Sequence, residues 1–303
     1  MSHDQVDELF TIRNLFYVGA YQQVINQCTN PSTEPSSEAG KMERLVFLHR
    51  SYIAQGQSDL VIKEIDDKQP VDLRVTKLLA QHVTTPEVGR EKIIAQAQEI
   101  ASDEVSSTNS SVQIVLGTLF YREGLYEDAL RLLSKHSRNL ECVALIVQIY
   151  LKLNRIDLAR RELNSTKNWA EDAILAQLIE AWIGVQIGGA KYQEAFYIFE
   201  ELSQNLAATT VKLLNGQAIC NIHMGRYPEA ESLLLEALNK SQSDPDTLVN
   251  LIVCANLTGK PDELVDDYTT QLKNIAPEHP YLKDLEAKSQ LFEECAKRYP
   301  ITN

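Results

Sequence analysis

The sequence is short of the residues that break helices, with 12 glycines and 10 prolines in 303 residues. Few runs alternate apolar and polar residues, so strands have little support and a mostly helical chain is expected. No apolar run reaches about 18 residues, the length at which a membrane-spanning helix becomes possible. The five cysteines, Cys28, Cys142, Cys220, Cys254 and Cys295, are odd in number, far apart and mostly set among apolar residues. That excludes a disulfide framework and metal-ligand spacing, and predicts buried reduced thiols. Positive charge is also scarce: 29 Lys and Arg stand against 42 Asp and Glu, a net of −13, without a basic cluster. Such a chain is a poor ligand for nucleic-acid phosphates and for anionic membranes on its own. Its charge reads as a solvated outer face. The N-terminal MSHDQVDELF is acidic and lacks a secretory apolar core; with no spanning segment, the expected location is the cytosol.

Catalytic signatures are missing too. There is no phosphate-cradling glycine loop; Gly188-Gly189 stands alone and marks a turn. H-E-x-x-H, Cys-x-x-Cys and G-x-S-x-G do not occur. His49 and His223 fall on expected helices, and Asp66-Asp67 and Asp266-Asp267 near helix ends or loops. The expectation is a non-enzymatic chain with no cofactor or metal.

What the chain does have is a recurring code of small and large residues. Leu116 to Leu133 reads LGTLFYREGLYEDALRLL. Gly117 and Ala129 supply gaps that let two antiparallel helices approach closely, and Phe120, Tyr126 and Leu133 fill them. Gly124 serves the tight turn between the helices. This spacing resembles the tetratricopeptide helix pair, which cannot bury its own apolar faces and therefore predicts neighbours like itself.

The neighbours are present. Turns fall at Gly19, Gly56, Gly225 and Gly259, and at Asn154, the usual substitute for glycine in a left-handed turn. Tyr192, Ala195, Phe199 and Leu202 repeat as Tyr227, Ala230, Leu234 and Ala237 at a spacing of 35. The first pair is expected from Val6 to Gln27, the second from Met42 to Ile65, and a weak one from Pro70 to Ile100 with its turn near Pro86. Thr29–Gly40 and Ala101–Ser111 read as polar loops; the first is either mobile or a partner contact, and Ser110 or Ser111 is expected to cap the helix that follows. The last helix, about 280–299, carries a stripe of Tyr281, Leu285, Phe292, Cys295 and Tyr299, as a terminal cap with one face docked would. The predicted fold is an all-α tetratricopeptide-like α-solenoid, a right-handed superhelix over residues 1–303 of about eight helix pairs with a C-terminal capping helix.

In this architecture the first helix of each pair lines the concave side. Three residues before each turn position stand Phe16, Ile53, Tyr121, Leu151, Ile187 and Ile222. One reading is an apolar channel for a partner segment; the other is packing between adjacent units. Arg13, Arg50, Lys212 and Asn215 also sit on inward faces, which leaves open a co-chaperone-type adaptor that captures a peptide C-terminus.

Longer strings are more specific than the repeat. VDELF (Val6–Phe10), Phe16-Tyr17, Gly19 and Tyr21-Gln22-Gln23 resemble the start of the coatomer epsilon subunit family. So do LECVALIVQIYLKLNRIDLARREL (Leu140–Leu163), Tyr197-Ile198-Phe199, LLNGQA (Leu213–Ala218), TLVNLIV (Thr247–Val253) and Gly259-Lys260-Pro261. The departures lie in the two polar loops. The resemblance implies a structural subunit of the COPI coat, a solenoid that wraps the C-terminal domain of the coatomer alpha subunit. Through that subunit it would reach the other coatomer subunits. It implies traffic from the Golgi toward the endoplasmic reticulum, membrane contact only through the coat, and no catalytic residues.

Overall fold

A computed structural model describes residues 7–170, 172–205 and 209–299. Its packing divides the chain into two compact units, Met1–Ala208 and Thr209–Asn303. Among the described residues every regular element is a helix.

The first unit contains six helix pairs: α1 (Phe10–Tyr17) with α2 (Tyr21–Thr29), α3 (Glu38–Ala54) with α4 (Ser58–Glu64), α5 (Val71–Thr84) with α6 (Glu91–Ser102), α7 (Ser110–Arg122) with α8 (Tyr126–Leu133), α9 (Leu140–Lys152) with α10 (Ile156–Ala170), and α11 (Ile174–Ile187) with α12 (Lys191–Asn205). The expected start at Val6 lies outside the described residues. In the α7–α8 pair the small and large residues meet as the spacing predicts. Leu116, Phe120, Ala129 and Leu133 are buried. A Cβ on Gly117 would lie 2.8 Å from Leu133 Cδ2 and 3.2 Å from Leu145 Cδ2, so only glycine lets the helices close to this distance.

The turns share one mechanism. Gly124 adopts φ +74°, which lets its own N–H reach the Tyr121 carbonyl and the Leu125 N–H reach back to Phe120 at 2.9 Å. Two of the four orphaned carbonyls at the end of α7 are thereby satisfied. Asn154 does the same work at φ +56°, with Arg155 N–H on the Tyr150 carbonyl at 2.7 Å. The α11–α12 turn differs. It uses two successive positive-φ residues, Gly188 and Gly189, and Gly188 sits at φ 80°, ψ −167°, a region open essentially to glycine alone.

Both polar loops are tied down. Within Thr29–Gly40, Pro35 is buried and Thr33 donates to the Gln27 carbonyl at 2.6 Å. The guanidinium of Arg44 binds the Asn30 carbonyl at 2.6 Å, and Ser36 bonds the Glu8 carboxylate through both N–H and hydroxyl. Helix α3 begins inside this stretch, capped by Ser37. In Ala101–Ser111 the cap is Asn109, not Ser110 or Ser111. Its side chain accepts from Ser111 N–H and Val112 N–H, and Ser110 is already helical. Asn109 wins because its side chain reaches two orphaned donors while Asp72 accepts from its Nδ2 at 3.1 Å.

The second unit contains α13 (Val211–His223) with α14 (Tyr227–Lys240), α15 (Pro245–Leu257) with α16 (Asp262–Ile275), and a last helix, α17 (Pro280–Arg298). Leu214, Leu248 and Leu282 recur every 34 residues and are all buried. The stripe expected to dock α17 does not. Its first turn packs, with Leu282 against Leu248, Ile252 and Leu272 and Tyr281 beside it. Beyond that turn every described residue of the helix is exposed, with Phe292 at 75% and Tyr299 at 82%. The reason is local: where α13 and α15 place buried Ala218 and Ile252, the same register in α17 places Glu286. A carboxylate there cannot enter an apolar interface without a partner, and the helix stays exposed from Lys283 onward.

Candidate partner-binding surface

The apolar row is distributed over several surroundings. Phe16, at the end of α1, is half-buried. Its ring meets Phe47 edge-on at 5.2 Å and Tyr21 at 5.4 Å, and the Arg50 guanidinium lies 4.5 Å from its centroid. Arg50 in turn binds Glu141 at 2.8 Å, and Tyr17 donates to the same carboxylate at 3.1 Å. Burial, reinforced by the Glu141 charge, raises the Tyr17 hydroxyl above its ordinary range, so it stays a donor.

Ile53 and Tyr121 are half-buried and pack on the apolar core of the first unit, Tyr121 with its ring 6.0 Å from Tyr126. Leu151 is half-buried. Ile187 is the most open, at 37%. It lines a groove of about 490 Å³ formed by α10, α11 and α12, whose lining also includes Arg160, Lys167, Ile183 and Lys191. In the second unit Ile222 is half-buried and packs on the cluster of Ala218, Ala230, Leu234, Leu251 and Cys254. Five of the six residues therefore give part of their surface to packing and part to solvent, and Ile187 gives more to solvent.

Of the polar residues expected to face inward, Arg13, Arg50 and Asn215 are committed to their own chain. Arg13 holds Glu43 with two nitrogens at 2.8 Å each and Asp7 with the third at 2.6 Å. Arg50 is held by Glu141. Asn215 donates to Thr247 at 2.8 Å and to the Val211 carbonyl at 3.0 Å, and accepts from Asn250 at 2.8 Å. A carboxylate arriving from outside would have to displace these partners.

Sequence reasoning missed the Tyr17–Arg50–Glu141 cluster, for no periodicity links α1, α3 and α9. It also missed the buried His82, whose Nε2 bonds Glu123 at the end of α7, where Arg90 joins at 3.1 Å. Among the described residues no group of three His, Cys, Asp or Glu could hold a metal ion. No helix is long and apolar enough to cross a membrane among those residues.

Comparison with known proteins agrees with this geometry. A family model described as "Coatomer epsilon subunit" matches residues 5–300. Coatomer subunit epsilon-1 of Arabidopsis thaliana is 39% identical over 296 residues, covering 97% of this chain and 97% of that one. Coatomer subunit epsilon of Dictyostelium discoideum is 35% identical, covering 97% and 99%, and that of Caenorhabditis elegans 36%, covering 96% and 98%. Two solved structures share the fold at 14% identity. One is a tetratricopeptide repeat protein from Parabacteroides merdae, with a TM-score of 0.57 over 80% of this chain and 96% of that one. The other is a chain of the APC/C hetero-tetramer Cut9-Hcn1, with a TM-score of 0.58 over 90% and 53%.

Proposed function

Because the chain belongs to the coatomer epsilon subunit family, and is thereby a COPI coat component, we propose that it is a non-enzymatic structural subunit that binds and stabilises the C-terminal domain of the coatomer alpha subunit. In this role it reaches the other coatomer subunits through alpha and supports Golgi-to-endoplasmic-reticulum and intra-Golgi transport. It resides in the cytoplasm and meets Golgi membranes and vesicles only as part of the coat.

The observation that carries the reading is the family match, which runs nearly end to end rather than over an isolated repeat. The apolar row supports it: Phe16, Ile53, Tyr121, Leu151, Ile187 and Ile222, the positions expected to face inward, keep partly exposed apolar surface, and constitutive interfaces are the more apolar ones. A non-catalytic role is consistent with the cysteines. Burial pushes the thiols of Cys142 and Cys220 up to about 12 and that of Cys28 to about 11, which leaves almost no nucleophilic thiolate. A peptide-capturing adaptor is disfavoured, since Arg13, Arg50 and Asn215 already have internal partners.

Co-purification with the alpha C-terminal domain tests the reading. Tyr121→Asp with Leu151→Asp should abolish it, but Tyr121 also packs on the core. Leu151→Asp with Ile187→Asp is therefore the companion variant, expected to keep the helical circular dichroism signal. Full retention of alpha by that folded variant would remove these two residues from the interface.

A further inference from the structure

The stretch of α17 beyond its packed first turn has a pattern of its own. Tyr281, Leu285, Phe292, Cys295 and Tyr299 lie along one side at spacings of 4, 7, 3 and 4 residues. With Lys288 they occupy the two seam positions of a heptad, a 3.5-residue period suited to another helix rather than to a flat surface. Leu285, Leu291, Phe292 and Tyr299 are 48%, 59%, 75% and 82% exposed, more apolar surface than a solvated helix needs.

The charges choose both the occupant and its direction. Two copies of this helix laid antiparallel place Leu285 opposite Cys295 and the Lys288 ammonium against the Phe292 ring, with Tyr299 reaching the open edge of the half-buried Tyr281. Leu291 meets Leu291 at the twofold axis. On the flank Asp284 faces Arg298 at each end, and Arg298 has no carboxylate partner among the described residues of its own chain. Among the described residues Asp284 has only the neighbouring Lys288, at 2.5 Å. Laid parallel, the same helices would set Lys288 against Lys288 and leave both Asp284 and Arg298 without an opposite charge. Self-complementarity of this kind is what an isologous twofold contact requires.

We propose that α17 is a self-association helix through which two copies of this chain pair antiparallel along the Leu285–Phe292 seam. The contact is independent of the alpha-binding row, and it is modest because fewer than three heptads take part.

Sedimentation equilibrium of the full chain in reducing buffer, without alpha, is the test. A reversible monomer–dimer equilibrium in the micromolar range is expected. Phe292→Asp should weaken it at least about tenfold and leave the melting temperature of the monomer unchanged, because Phe292 is 75% exposed in its own chain. Asp284→Arg should weaken it, and adding Arg298→Asp should restore it by reversing both pairs. Under mild oxidation, Leu285→Cys should give a disulfide-linked dimer through Cys295 of the other copy, and Lys283→Cys, on the far side, should not. A chain monomeric at every accessible concentration, a dimer indifferent to Phe292→Asp, or association only after alpha is added would each overturn the proposal.

Discussion

Tyr17 donates its hydroxyl to Glu141 at 3.1 Å across 124 residues of sequence. The same carboxylate holds Arg50 at 2.8 Å with both side chains nearly buried, and α1 also touches α11. One acidic side chain at the start of α9 thus receives donors from the first two helix pairs and fixes them against later helices of the same unit.

Glu141→Ala should therefore cost more than a surface ion pair. It strands a guanidinium and a phenol in a site too dry to hydrate them fully, and the expected loss is about 3 kcal/mol. Glu141→Gln keeps an acceptor and should lose less. Urea titration read by circular dichroism gives the values. A loss within that of an exposed pair, below about 1 kcal/mol, would show that Glu141 does not hold the first pairs in place.

The gap residues of the α7–α8 pair predict sensitivity in the opposite direction, to added atoms. Ala129 is fully buried, and Ala129→Leu should destabilise by roughly 1–3 kcal/mol through overpacking. Gly117→Ala puts its Cβ 2.8 Å from Leu133 and should fall in the same range of roughly 1–3 kcal/mol. Thermal melts of both variants check the placement.

His82 predicts a pH dependence. Burial lowers its pKa from the ordinary 6.5, against the opposing pull of Glu123 and in concert with Arg90 and Arg122. Its Nδ1 has no hydrogen-bond partner, as fits a neutral ring that donates through Nε2. The folded value lies below the unfolded one, so stability is complete above 6.5 and falls as the pH drops through that value toward the folded one. The Glu123 carboxyl is raised by burial, but His82 and Arg90 outweigh that and hold it below its ordinary 4.5, so its contribution is lost only at lower pH. His82→Gln should flatten the melting-temperature profile between neutral and mildly acidic pH and leave the lower descent. A profile unchanged by the substitution would mean that His82 titrates normally.

The thiols should separate cleanly. Cys28, Cys142, Cys220 and Cys254 are buried and Cys295 is exposed. Ellman's reagent should react at once with one thiol per chain and with the others only on unfolding. Cys295→Ser should abolish the fast phase. Two fast thiols would mean that one of the buried four is open to solvent.

The helix pairs were legible because their determinants are local. Gly-x-Tyr marks the turns, and Ala followed four residues later by a large residue marks the packed face; even Asn154 declared itself by standing where glycine stands elsewhere. The cap of α7 was misassigned by one or two residues, since Asn109, Ser110 and Ser111 all carry capping side chains and only the reach to Asp72 separates them. The apolar periodicity of α17 was plain, but periodicity does not say what covers a stripe; the polar Glu286 at a packing register was the overlooked sign. Tyr17, Arg50 and Glu141 had no signal at all, because their encounter depends on how several pairs accumulate between them.

The anchoring of Asn30 to Gly40 bears on how this chain can be engineered. By composition the stretch invites the grafting of an epitope or a fluorescent tag. Yet Arg44 reads its backbone, Pro35 is sunk in the protein, and a Cβ on Gly40 would collide with Pro35 at 2.8 Å. An insertion there would unseat the beginning of α3, so a reporter belongs on a segment whose main chain serves no side chain as an acceptor.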